Sequence, residues 1–232
     1  MDSPQQDAPL SAGPVGAQRH RAVVGLGVAA TVLILATLVY DVLLTVADWR
    51  VYLVVEDYLA GKATADEVLA ADDFSGNFTL MTGLAVMVAA GLVFMVWLWR
   101  ARINAERLAG RGSQRRARAW VVAGWTVPVA NLWVPYQVVS DVWRASSPGR
   151  KASRGLISVW WAAWVLGGVI SRAYLYLVEK DRLTEDDLRQ AAVLSTVTLV
   201  ADLVAGAVII HVLNRISSWQ TQRRSHSVPS RS

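Results

Sequence analysis

The chain contains no cysteine, which excludes disulfides, thiolate metal sites and cysteine nucleophiles and leaves the redox compartment unread. Its three histidines, His20, His211 and His226, are too scattered to indicate a metal cluster. There is no glycine-rich phosphate loop, no Ser/His/Asp set and no HExxH pattern, so neither an enzyme site nor a cofactor is expected. Charge is missing from long stretches. Ala22 to Tyr40 and Phe78 to Trp99 carry none, Leu156 to Val178 carries only Arg172, and Ala191 to Asn214 only Asp202. At about 1.5 Å per residue the second run is about 33 Å long, enough to cross the hydrocarbon core of a bilayer.

What is present fits that solvent, since 54% of the 232 residues are apolar. The composition predicts an all-α integral membrane protein with four transmembrane helices at about 22–47, 78–99, 156–178 and 191–214, in one membrane domain spanning 19–216. Arg19 and Arg21 before an apolar run resemble a signal peptide. Nineteen uncharged residues exceed the usual apolar core of such a peptide, however, and Thr45-Val46-Ala47 is a poor cleavage site. An uncleaved first helix is expected. Residues 1–18 and 217–232, rich in Pro, Gln, Ser and Arg without apolar periodicity, read as a disordered N-terminus and a disordered basic tail.

Charge changes sign from one gap to the next. Seventeen of the 23 Lys plus Arg lie before the first run, in 100–118, in 144–154 or after 214, whereas acids crowd Asp48 to Asn77 and Glu179 to Gln190. The bias of basic loops toward the cytoplasm then puts both termini and both basic loops inside, in a bacterial plasma membrane. Their placement beside apolar helices favours contact with the bilayer and its anionic lipid, or with another membrane or cytoplasmic protein, over nucleic acid. Residues 119–143 complicate this topology, because they are apolar and flanked by basic residues on both sides. Pro128 and Pro135, bracketing Asn131, each remove a backbone donor and obstruct the preceding helical turn. They predict two half-helices, about 119–127 and 135–143, in a proline-broken re-entrant or interfacial hairpin; the alternative is a kinked crossing and five spans.

Smaller signals complete the pass. Thr64-Ala65-Asp66-Glu67 has capping-box spacing and should open a short helix through about Ala71. Arg100 to Leu108 should continue the second span into solvent as a solvated flank, with Arg102 and Glu106 one turn apart, until Gly110 and Gly112 end it. Trp97, Trp99, Trp160 and Trp161 read as an anchoring belt at headgroup level. Within the spans, Asp202 near the midplane and Arg172 and Asp41 nearer the outer surface are costly charges. Pairing of Arg172 with Asp202 or Asp41 is the expected structural solution, helped by small residues at Gly167, Ser171, Ala201, Ala205 and Gly206; a proton or ion relay is the functional one. Asn131 is a further candidate, since a broken backbone at membrane depth can offer carbonyls to a solute.

Several of these residues together, Trp97-Leu98-Trp99-Arg100-Ala101-Arg102-Ile103-Asn104-Ala105, then Pro128 to Gln137 with Asn131, Trp133, Pro135 and Tyr136, then Trp143-Arg144, resemble a bacterial membrane family known as domain of unknown function 4328, common in actinobacteria. The likeness runs from about the first span to the last; Thr126-Val127 stands where the family would carry an aromatic residue. Twenty Arg against three Lys fits a GC-rich genome of that kind. The resemblance implies a multi-span membrane protein and brings no catalytic residues. A non-enzymatic membrane scaffold or regulatory partner is the expected role. The competing class is a small transporter or channel built around Asn131, Asp202 and Arg172.

Overall fold

The structure is a computed structural model that describes residues 22–75, 77–149, 152–180 and 182–226. The predicted N-terminal segment, 1–18, and the end of the tail, 227–232, lie outside these residues. Seven helices follow in order: α1 (Val24–Leu59), α2 (Ala65–Ser75), α3 (Asn77–Ala109), α4 (Trp120–Thr126), α5 (Val134–Ser146), α6 (Gly155–Val178) and α7 (Glu185–His226). No strand occurs among the described residues. Four helices, α1, α3, α6 and α7, are long and apolar enough to cross a membrane, and their outer faces expose Val28, Val32, Leu92, Val169 and Val200 as lipid-facing segments must. This is a multi-pass membrane protein.

The long helices form an arc rather than a closed bundle. α6 packs along α7, α7 along α1 and α1 along α3, but α3 and α6 are not packed along one another. Small residues permit the tight seams: a Cβ on Gly206 would stand 2.8 Å from Leu38, and one on Gly167 3.6 Å from Ala201. Gly83 has no room for a Cβ beside the Tyr40 ring.

Two helices outrun the predicted spans. α1 continues to Leu59, so the first part of the acidic loop is helical, and α2 packs back on that extension. The capping box holds: Thr64 donates its backbone N–H to Glu67 at 2.7 Å, and Glu67 returns its own to Thr64 Oγ1. At the other end α7 runs on to His226, correcting the disordered assignment of the tail over 217–226. Its buried face there, Val212, Leu213, Ile216, Ser217 and Gln220, keeps helical spacing, but the polar members hid the pattern.

The proline-broken segment is a helical hairpin. α4 covers seven residues and α5 thirteen, roughly 10 and 20 Å at helical rise, so neither alone matches a hydrocarbon core of about 30 Å. Val127 leaves helical geometry before Pro128, Pro135 occupies the first turn of α5 where its missing donor costs nothing, and Gly124 lies directly against Val134. Asp141 ties the two flanks together: Arg115, before α4, reaches it at 2.9 Å, and Arg144, near the end of α5, at 2.7 Å. Both basic flanks therefore sit at one end of the molecule, beside the start of α1 and the ends of α3 and α7. We call this the basic end and the opposite one the acidic end.

At the acidic end Asp187 closes a second capping box on Thr184 and accepts a bond from Lys180 at 2.7 Å. The lysine contact first, and then the Thr184 donors, hold its pKa down to about 2. A carboxylate whose folded value lies below its unfolded value of about 3.9 stabilises the fold fully above the latter and loses that contribution as pH falls toward the former. Thermal stability should therefore fall between about pH 4 and pH 2, and Asp187→Asn should flatten that part of the profile; an unchanged profile would show that the contact contributes nothing.

Candidate functional site

A cavity of about 530 Å³ lies inside the arc, with walls from α1, α3, α6 and α7 and a floor that includes Trp125 of α4. Along α1 its lining runs from Ile34 to Thr45, about 16 Å at helical rise. Most of the lining is apolar, from Leu38 and Leu44 on α1 through Met87 and Met95 on α3 to Leu199 and Ile209 on α7. Two carboxylates interrupt it, Asp41 from α1 and Asp202 from α7, and hydroxyls of Thr37, Thr45, Ser171, Tyr174, Ser195 and Thr198 join them.

Neither carboxylate has a basic partner among the described residues. The expected pairing with Arg172 is not made. Asp202 rests against Gly167, where a Cβ would stand 3.0 Å from its Oδ1. Arg172 is five residues further along α6, about 140° around the helix at 3.6 residues per turn, and it is exposed. Asn131 is not in the cavity wall either. Its backbone N–H bonds to Val127 at 2.9 Å while its side-chain Oδ1, buried in the hairpin turn, has no partner. Of the four candidates the sequence marked, the structure brings Asp202 and Asp41 together and leaves Arg172 and Asn131 apart.

The tryptophans also differ from the expected belt. Trp97 and Trp160 are fully buried, and Trp161 and Trp99 are partly so. Phe94, Trp125, Trp160, Trp161 and Trp164 form a run of ring contacts, Trp125 meeting Trp164 edge-on at 5.6 Å and Phe94 at 6.0 Å. Phe94 of α3 meets Trp160 of α6 directly at 6.5 Å, and Trp125 joins the same cluster from α4, so the hairpin contributes to the floor of the cavity. Near the acidic end Tyr174 donates to Asp48 at 3.0 Å and Trp49 to Thr196 at 2.9 Å, fastening α1 to α6 and α7.

Below the floor lies a polar node. Arg102, expected as a solvated flank, is 2% exposed; it reaches Glu106 at 3.1 Å and also donates to the Arg116 carbonyl. Arg118 binds the other Glu106 oxygen through its Nε at 2.8 Å. Burial pushes the Glu106 carboxyl up, but the Arg118 and Arg102 bonds outweigh it and leave the group below the usual carboxylate range. Gln220 of α7 accepts from Asn104 at 3.1 Å and donates to the Ala101 carbonyl and to Ser146, each at 2.8 Å, so α3, α5 and α7 meet on one side chain. A lone Gln in a tail carried no signal that could have found it.

The family model described as Domain of unknown function (DUF4328) matches residues 60–218. The chain belongs to this family. No curated protein and no solved structure matches it significantly. The DUF4328 match opens after α1, later than the sequence likeness implied, so it includes Asp202 and omits Asp41. The DUF4328-like motif residues gather in the node and hairpin: Arg100 donates to the Ala22 carbonyl, Tyr136 meets Ser158, Gln137 accepts from Arg116, and Trp143 donates to the Ser153 carbonyl and packs on Trp219. In this DUF4328 protein the motif builds the support beneath the floor, and the carboxylates stand above it.

Proposed function

We propose that the protein is a non-enzymatic, solute-binding protein of the bacterial plasma membrane, of the transporter class, with its basic end and both termini in the cytoplasm. The observation that carries this reading is that, among the described residues, no basic group stands beside Asp41 and Asp202 in a cavity of ligand size. A scaffold would favour a closed bundle with its charges paired internally; two carboxylates left facing open volume are costly unless something enters to answer them. The basic loops contact anionic lipid at the rim. The hairpin re-enters the cytoplasmic leaflet, a placement supported by Val127, Val129, Leu132 and Trp133 standing exposed at its apex while its flanks stay beside Asp141.

Cysteine scanning tests both parts, because the chain has no native thiol. On intact cells an impermeant thiol reagent should label Lys62→Cys and spare Gly149→Cys, where a side chain meets open space. A small permeant thiosulfonate should then modify Ser171→Cys in the cavity wall. Labelling of Gly149→Cys from outside would invert or break the topology, and an inert Ser171→Cys would mean a dry bundle and return the scaffold reading.

A further inference from the structure

We infer that the cavity takes an amphipathic organic cation, an apolar body bearing one diffuse positive charge, which reaches it from the lipid through the gap between α3 and α6. This rests on the solute-binding reading above and names its ligand class. Two independent features of the cavity point the same way. Its charged groups are all of one sign, Asp41 and Asp202 facing one volume from two helices, with the unpartnered Thr198 hydroxyl beside them. An anion would meet repulsion there, and a neutral solute would gain no charge attraction from the two carboxylates, whereas a cation answers both. The floor is aromatic, with Phe94, Trp125, Trp160 and Trp164 offering ring faces and edges to a body of matching size, and aromatic faces favour weakly hydrated cations.

A small, strongly hydrated metal ion does not fit these walls. Among the described residues no group of three or more acidic or histidine side chains is placed to hold one, and the lining is dominated by alkyl and aromatic carbon. The route follows from the arc. α3 and α6 do not pack along one another, and Gly91, which lines the cavity on the α3 side, faces open space that no neighbouring atom fills. A lipophilic cation concentrates in the outer part of an apolar bilayer, so a lateral opening presents the site where such a molecule already is.

The test is binding of tetraphenylphosphonium to the purified full-length protein in micelles, followed by tryptophan fluorescence and equilibrium dialysis. Tetraphenylborate, of like shape and opposite charge, and neutral triphenylphosphine oxide serve as comparisons. Saturable binding of the cation alone is expected. It should weaken at least about tenfold in Asp202→Asn and in Asp41→Asn, since a charge at contact distance outweighs that factor even at a surface-like dielectric. Gly91→Trp should occlude the opening and abolish binding, and the outward-facing Arg172→Gln should leave it unchanged. Two separate carboxylate variants and the glycine variant keep the test valid if one of them fails to fold. If borate or oxide binds as tightly as the cation and the Asn variants match the parent, the cation assignment is wrong while a solute cavity stands. If none of the three probes binds, the assignment falls, and the reactivity of Ser171→Cys decides whether the cavity reading falls with it.

Discussion

Replacing Glu106 by alanine should destabilise the protein by about 3–5 kcal/mol, the cost typical of removing one partner of a buried ion pair. Its partner Arg102 has a side chain only 3% exposed, enclosed by α3, the chain around Arg116 and the rest of the node, so the guanidinium would keep its charge and lose the carboxylate that pairs with it. Arg118 is nearly half exposed and would find water instead, which is why the loss comes mainly from Arg102. The measurement is thermal unfolding in micelles followed by tryptophan emission. The double change Arg102→Leu with Glu106→Leu should recover most of the loss, because well-packed apolar replacements of buried ion pairs are often neutral. A Glu106→Ala protein that melts with the parent would mean that water reaches Arg102 and that the node is a wet surface.

Asp141→Ala should release the hairpin. The carboxylate is 2% exposed and accepts from the Arg115 backbone and guanidinium and from Arg144, so it holds both flanks of the broken segment at once. Both arginines are more than a third exposed and can return to solvent, which limits the global cost to about 1.5–3 kcal/mol, the range for hydrogen bonds to a charged group. The local effect is larger. Trypsin should cut after Arg115, Arg116 or Arg118 several times faster in the variant, since those sites are otherwise held against α3 and α5. Equal cutting rates would show that α4 keeps its place through Gly124, Val134 and the tryptophan cluster alone.

How much of this was legible follows residue by residue. The four spans, the helix end at Gly110 and the capping box at Thr64 were readable because each depends on local sequence: uncharged length, a glycine with positive φ, and a side chain three residues from the backbone it caps. The break at Pro128 and Pro135 was readable for the same reason. Partners across the fold were not. Arg172 and Asp202 were close in hydropathy logic, but which side of α6 faces α7 depends on rotation about the helix axis, and Gly167 rather than Arg172 holds that face. Trp97 and Trp160 have the composition of headgroup anchors and are core because partners far along the chain cover them, Ser217 and Gly27 at Trp97 and Phe94 at Trp160. Glu106 and Gln220 looked like solvent-facing polar residues; their burial comes from segments 12 to 119 positions away, beyond the reach of periodicity.

The unbroken length of α7 has a mechanical consequence. Its 42 residues extend about 63 Å at helical rise, from the Thr184 box at one surface, past Asp202, to Gln220 at the other. A rod of that kind does not absorb an axial slide or a twist along its course. Whatever settles beside Asp202 and nudges α7 therefore displaces Gln220 as well, and the three-way joint it makes with α3 and α5 is where such a push would be felt at the basic end.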